Sequence, residues 1–174
     1  MSAERKEPLG PESNLMSRAT FDRLSNELAE AEEKVRNAGI SIGDAAGGKR
    51  DWHDNFAYEQ AVRESHLNQA NLLKLKQQLQ FHAIIEPNQR TETISIGNTV
   101  KVLFQDEVDH EEYTILGEYD SGTNPSWISY TSPLGSALLG KSAGDVAEYN
   151  VNKNTLKVAI EEVLPGNFDK EYEE

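Results

Sequence analysis

The sequence contains no cysteine, so it offers neither a disulfide nor a thiol nucleophile, and this agrees with a cytoplasmic protein. It has no run of about 18 apolar residues, so we expect no membrane-spanning helix. The N-terminal stretch MSAERKEPLGPESN lacks the apolar segment of a signal peptide. Hydrophobic residues make up only 37%, and the mean hydropathy is -0.66, which is low for 174 residues around one large core. We therefore expect a long exposed helical part and a small core elsewhere.

Positive charge is also scarce, because 17 basic residues face 30 acidic ones and the formal net charge is -13. This balance argues against general binding of nucleic acid through its phosphates. The negative charge is unevenly distributed. Residues 1–90 carry 12 basic and 14 acidic side chains, whereas residues 91–174 carry 5 basic and 16 acidic side chains. The shift falls near Pro87–Arg90, and we interpret it as a linker between two domains.

Apolar residues in the first half recur in alternating steps of three and four, the spacing of a coiled-coil seam. In the first helix, Thr20 is the expected N-cap and Gly39 the expected stop. The second helix is expected to begin after Asp51 and to end before Pro87, and its seam is strongly apolar only from Leu72 onward. The seam positions are Phe21, Leu24, Leu28, Ala31, Val35 and Ala38, followed by Tyr58, Ala61, Ser65, Asn68, Leu72, Leu75 and Leu79.

Two helices joined by a short connection run antiparallel. Residues 39–50 are therefore expected to form the tip of a helical hairpin. The second helix would be longer than the first by about 20 Å, which an extended connection of this length can span. A short helical turn around Ile42–Ala46 is the alternative.

An antiparallel β-sheet domain with one short helix across it is predicted for the second half, so the fold class is α+β. Ser132–Gly140 has a serine N-cap, a proline at the first helical position and a glycine after its end, which is typical of a short helix. The predicted strands are Thr93–Ile96, Thr99–Phe104, Tyr113–Leu116, Trp127–Tyr130, Val146–Val151 and Thr155–Val163. The expected organisation is a flexible N-terminus (1–15), the hairpin (16–86), a linker (87–92), the sheet domain (93–165) and an acidic tail (166–174).

The stretch GGKRDWHDNFAYE, from Gly47 to Glu59, concentrates polar chemistry near the expected tip. Asp51 and Asp54 are three positions apart, so their carboxylates share one face if both lie in a helical turn. In a purely structural interpretation, Asp51 caps the second helix and Asp54 meets the positive end of its dipole.

The other side chains of this stretch also have two interpretations. Lys49 and Arg50 either pair with a phosphate or are solvated tip charges. His53 is either a ligand or base, or simply polar surface. Trp52 either stacks on a base or folds back onto the Gly47–Gly48 loop.

Two segments resemble the Gre family of bacterial transcript cleavage factors. SPLGSALLGKSAGD, from Ser132 to Asp145, is similar to the signature of the family's C-terminal domain, which has an FKBP-like fold. DWHDNFAYE resembles the family's acidic tip, with Asp51, Asp54, Asn55 and Tyr58 on the matching positions. The Trp52–His53 pair departs from the family pattern, and so does Asp54, where glutamate is common.

The resemblance implies a transcription elongation factor that binds RNA polymerase and acts as an accessory factor, not as an enzyme on its own. Its coiled coil would enter the secondary channel, where Asp51 and Asp54 would help the polymerase carboxylates hold a catalytic Mg²⁺. Backtracked nascent RNA would then be cleaved near its 3′ end, with Asn55 orienting a water molecule. No cofactor would be bound stably. The protein is expected to be a cytoplasmic monomer. It would contact DNA only indirectly and would bind no membrane.

The resemblance also suggests where the sheet domain docks on the rim of the polymerase channel. Asp120 and the segment Ser132, Pro133 and Leu134 are the candidate contacts. In the structural interpretation, Ser132 and Pro133 only cap the short helix.

Two other functions compete with transcript cleavage. A Gre-like regulator would occupy the channel and inhibit transcription, and the altered tip is compatible with this. An FKBP-like prolyl isomerase or binding module would need a deep pocket lined by aromatic residues. Aromatic residues are only 7% and are scattered along the sequence, so no such pocket is predicted.

Overall fold

The protein is described by a computed structural model that covers residues 14–47, 52–105 and 108–168, without the side chains of 44–47, 52–55 and 57. Its contacts divide the chain into two units. The hairpin unit is Phe21–Phe81, and the sheet unit combines Met1–Thr20 with His82–Glu174. The fold class is α+β, as predicted, with a long helical region followed by a curled mixed β-sheet.

The hairpin unit consists of two helices of similar length. Helix α1 spans Arg18–Gly47 and has 30 residues, and α2 spans Trp52–Leu79 and has 28. Their short connection makes them antiparallel, and a salt bridge of 3.1 Å joins Lys76 Nζ on α2 to Glu32 Oε1 on α1. The predicted seam is confirmed at five of its positions, whose side chains are buried. Leu24, Ala31 and Ala38 are buried on α1, and Ser65 and Leu75 are buried on α2.

Both predicted ends of α1 are wrong. The N-cap is Ser17, whose Oγ accepts a hydrogen bond from Thr20 N at 3.2 Å. The helix also continues through Gly39 and Gly43 to Gly47. A glycine inside a helix costs only about 1 kcal/mol, and the seam continues with the half-buried Ile42. The expected 20 Å difference in helix length is therefore wrong as well. Of the two alternatives for the tip, helical structure around Ile42–Ala46 is confirmed.

The sheet unit contains five main strands: β3 (Thr99–Phe104), β4 (Glu111–Leu116), β5 (Trp127–Ser129), β6 (Val146–Val151) and β7 (Asn154–Leu164). They form one sheet in the order β5-β4-β3-β7-β6. Three of its pairings are antiparallel, as predicted, but β5 runs parallel to β4. The short helix α3, Pro133–Leu138, packs on one face of this sheet through Leu134, Ala137 and Leu138.

A separate pair of short strands was not predicted. Strand β1, Asn14–Met16, lies parallel to β2, His82–Ile84, so the chain enters and leaves the hairpin through neighbouring strands. Asn14 and Leu15 therefore have a regular structure, although they were assigned to the flexible N-terminus. An added Cβ on Gly117 would lie 1.7 Å from the Leu15 carbonyl oxygen, so only glycine allows this close approach.

The strand predicted at Thr93–Ile96 is wrong. The backbone of Ile94 instead bonds to the segment after α3: its N–H donates to the Lys141 carbonyl, and its carbonyl accepts from Gly140 N, each at 2.8 Å. The side chain of Asn98 accepts from Ser95 N at 3.0 Å and holds this segment in a turn. The local hydrogen bonds of a polar side chain thus replace a strand ladder.

The main core of the sheet unit lies between the sheet and α3. Fully buried side chains there include Val100, Val102, Ile115, Leu138 and Val158. A second, smaller cluster consists of Ile85, Leu116 and Trp127, with Leu15, Ile96 and Phe168 packed against it. No helix within the described residues is long and apolar enough to cross a membrane.

Candidate functional site

We call DWHDNFAYE, residues 51–59, the acidic stretch, and from Trp52 onward it forms the beginning of α2. Lys49, Arg50 and Asp51 fall outside the described residues. Trp52, His53, Asp54 and Asn55 form the first turn of α2 in their backbone, and their side chains are not described. The roles assigned to these residues therefore stay predictions.

The backbone position of Asp54 suits a carboxylate. It is the third residue of α2, and the N–H groups of a first helical turn favour negative charge. This placement serves a structural role and a metal-binding role equally well. Among the side chains that the structure describes, no group of three or more His, Cys, Asp or Glu residues could hold a metal ion.

Tyr58 is the one predicted tip residue whose side chain is described. It is 40% exposed and borders an open groove along α2, together with Val62, Arg63 and His66. Both the phenol of Tyr58 and the guanidinium of Arg63 are thus accessible to a partner on this side of α2.

The predicted docking segment in the sheet unit is built around the N-cap of α3. Ser132 Oγ accepts from Gly135 N at 3.0 Å and donates to the Ser129 carbonyl at 2.6 Å. Pro133 is exposed, and Leu134 is half-buried against the core. Gly135 lies so close to Ser129 that an added Cβ would be 2.1 Å from its carbonyl oxygen. Ser132 therefore caps the helix, and Pro133 offers an exposed ring beside it.

Asp120 has a different position from the one that a docking contact requires. Its side chain is 0% exposed, and its carboxylate accepts hydrogen bonds from Ser17 and from Gly117 N. A carboxylate without exposed surface is not presented to a partner, so we propose no docking contact for it. Ser17, its main partner, was not singled out in the sequence, because a serine in a loop carries no signal of a contact with a residue so far along the chain.

A family model described as "Transcription elongation factor, GreA/GreB, C-term" matches residues 89–165. The chain is 30% identical over 158 residues to the transcription elongation factor GreA of Clostridioides difficile, which covers 86% of this chain and 94% of the relative. It is 32% identical over 136 residues to GreA of Thermoanaerobacter pseudethanolicus, covering 78% of this chain and 82% of that relative.

Among solved structures, Gfh1, the GreA factor homolog 1 of Thermus thermophilus, is 23% identical with a TM-score of 0.39. The match covers 85% of this chain and 96% of that structure, and at this TM-score it carries no argument. The sequence relatives show the family, because they are 30% and 32% identical to this chain along most of their own length. The chain therefore belongs to the GreA/GreB family of transcription elongation factors.

Proposed function

We propose that this protein binds RNA polymerase, inserts its hairpin tip into the secondary channel and stimulates cleavage of backtracked nascent RNA. The observation that supports the proposal is the hairpin itself, whose helices have 30 and 28 residues, with Asp54 in the first turn of α2. At about 1.5 Å per residue, α1 is about 45 Å long. A narrow rod of this length suits a side chain that must act inside another protein.

In this proposal, Asp51 and Asp54 supply carboxylate oxygens to a Mg²⁺ ion that the polymerase holds only weakly. Magnesium prefers oxygen ligands and keeps several waters, so one or two added carboxylates are sufficient. The metal, when bound, supplies an activated water and stabilises the leaving oxygen. The hairpin helices position the two acids, and Asn55 orients the water. The protein is then an accessory factor of the cytoplasmic polymerase, which contributes the active site.

The test is to add the protein to a stalled, backtracked elongation complex and to follow the length of the nascent RNA. Shortened RNA is expected with the native chain. Asp51→Asn and Asp54→Asn should each abolish the shortening while binding to the polymerase is unchanged. Glu64→Gln, which neutralises an exposed acid further along α2, is the matched control and should cleave normally. Unchanged cleavage by both aspartate variants would refute the proposed role of the acids.

A second function, inhibition by occupying the channel, is favoured by the Trp52–His53 pair inside the acidic stretch. A plug needs no metal ligands, so it would slow RNA synthesis without shortening the transcript. When nucleotides are added to an active elongation complex, slowed synthesis that persists in Asp51→Asn and Asp54→Asn would identify the inhibitor.

A further inference from the structure

An aromatic cup lies on the sheet unit, and its lining does not include Ser132, Pro133 or Leu134. We define the aromatic cup by Phe104, Tyr113, Tyr149 and Leu156. It is a cavity of about 560 Å³, and Gln105, Glu111, Thr155 and Lys157 complete its lining. It was not predicted, because its aromatic residues lie on three different strands and meet only through the strand register.

The register explains why these side chains converge. Phe104 follows the buried Val100 and Val102 at alternate positions of β3, so it lies on the same face of the sheet as the core. Tyr113 precedes the buried Ile115 in the same way, and Tyr149 pairs with Leu156 across β6 and β7. The aromatic cup is thus a continuation of the core face, lined by strands and by Gln105.

The rings form the walls of a recess. The ring centroids of Phe104 and Tyr113 are 6.2 Å apart, and their planes are inclined at 84°. The Tyr113 hydroxyl donates a hydrogen bond to Glu111 Oε2, which places a carboxylate at the rim. Two perpendicular rings beside a carboxylate match the chemistry that binds a cation, since the faces of aromatic rings are negative.

Charge around the aromatic cup favours the same kind of ligand. Glu111 is part of the lining, and the exposed Asp109 precedes it by two positions. The cation of the lining, Lys157, is engaged, since its Nζ lies 2.8 Å from Glu148 Oε1. The hydrogen bond from Lys157, together with its charge, lowers the pKa of Glu148, so this partner stays ionised.

We propose that the aromatic cup binds a cationic side chain, arginine or lysine, presented by a basic peptide segment of a partner protein. The side chain would lie against the rings of Phe104, Tyr113 and Tyr149, with its charge toward Glu111. A neutral ligand such as a proline-containing peptide would use the rings but would gain nothing from the carboxylates. This inference stands apart from the proposed function, because the site is in the sheet unit and its test needs no polymerase.

The test is a titration of the ¹⁵N-labelled full chain, followed by NMR, with three short peptides. The first is acetyl-Gly-Arg-Gly-amide, and the second replaces arginine with citrulline, its neutral isostere. The third is a peptide that contains Ala-Pro. The arginine peptide should shift the amides of Gln105, Tyr149 and Leu156 saturably, with an affinity about fivefold above that of the citrulline peptide. Added salt should reduce this preference.

Two variants separate binding from folding. Tyr113→Leu should abolish the arginine-dependent shifts, but it also removes a ring packed against the core. Glu111→Gln changes an exposed rim residue, so it should keep the fold and lose the preference for arginine over citrulline. Glu162→Gln, an exposed glutamate on β7 outside the lining, should keep the preference. Equal binding of the arginine and citrulline peptides, strongest binding of the proline peptide, or no saturable shift would each overturn the proposal.

Discussion

Ser17 and Asp120 are 103 positions apart in the chain and are joined by three hydrogen bonds. Ser17 N donates to both carboxylate oxygens, at 3.0 and 3.1 Å, and Ser17 Oγ donates to Asp120 Oδ1 at 2.6 Å. Gly117 N donates to the other oxygen, Oδ2, at 2.9 Å. A buried carboxylate is tolerated only when donors replace its water, and these groups do so inside the sheet unit.

Asp120→Asn should therefore destabilise the sheet unit by about 1.5 to 3 kcal/mol, the range for hydrogen bonds to a charged group. Asparagine keeps the size of the side chain, but its amide group would face an N–H donor. Urea unfolding followed by circular dichroism measures the change. Asp145→Asn is the control, since Asp145 is exposed and accepts from Ser142 N at 2.9 Å. If both variants unfold at the same urea concentration, Asp120 has no special role in stability.

Gly39→Ala should stabilise the hairpin unit. Gly39 lies inside α1, and an added Cβ would have nothing within 4 Å. Alanine loses less conformational freedom than glycine, which is worth about 0.5 to 1 kcal/mol in a helix. Thermal unfolding followed by helical circular dichroism should show a higher midpoint. Gly97→Ala is the contrast: it should lower the midpoint, because Gly97 has a φ of +92° and an added Cβ would lie 2.6 Å from the Glu86 carbonyl oxygen. A lower midpoint for Gly39→Ala would contradict the prediction.

Leu75→Ala should destabilise the hairpin unit by about 2 to 5 kcal/mol, because Leu75 is 5% exposed and its removal leaves a cavity in the seam. Leu73→Ala is a matched control only two positions away, since Leu73 is 68% exposed. Its effect should stay within about 0.5 kcal/mol. Under the proposed function, Leu75→Ala should also reduce cleavage, because the hairpin would aim the acids less accurately. Similar losses of stability in both variants would show that the predicted seam does not carry the packing.

Ser65→Leu tests the polar part of the seam. Ser65 is buried, and its Oγ accepts a hydrogen bond from Gln69 Nε2 at 3.2 Å. Leucine would bury more apolar surface at this position, which is worth about 1.5 to 3 kcal/mol. In the Ser65→Leu variant, hydrogen exchange of the amides between the beginning of α2 and Ser65 should be slower than in the native chain. Exchange in the native chain should be faster there than near Leu75. Uniform protection from Phe56 to Leu79 would show that the polar seam is no weak point.

The sequence predicted those features that depend on residues close together in the chain. The cap and first proline of α3 were readable, because Ser132 bonds to a residue three positions away. The seam of the hairpin was readable from its period. The parallel position of β5 and the contact between Ser17 and Asp120 were not, since both depend on residues far apart in sequence. Gly39 misled the prediction because one weak helix former does not outweigh a seam that continues beyond it. The chemistry of Asp51 and Asp54 was suggested only by resemblance and stays a prediction.

The parallel pairing of β1 and β2 makes the hairpin an insertion whose two ends are fixed next to each other. Asn14 pairs with His82 and Met16 with Ile84, whatever the number of residues between them. Because the seam repeats every seven residues, adding seven residues to each helix would keep every apolar position in place and lengthen the hairpin by about 10 Å. The length of the hairpin can thus change in steps of one heptad per helix, added or removed in both helices together, without altering the pairing of β1 and β2.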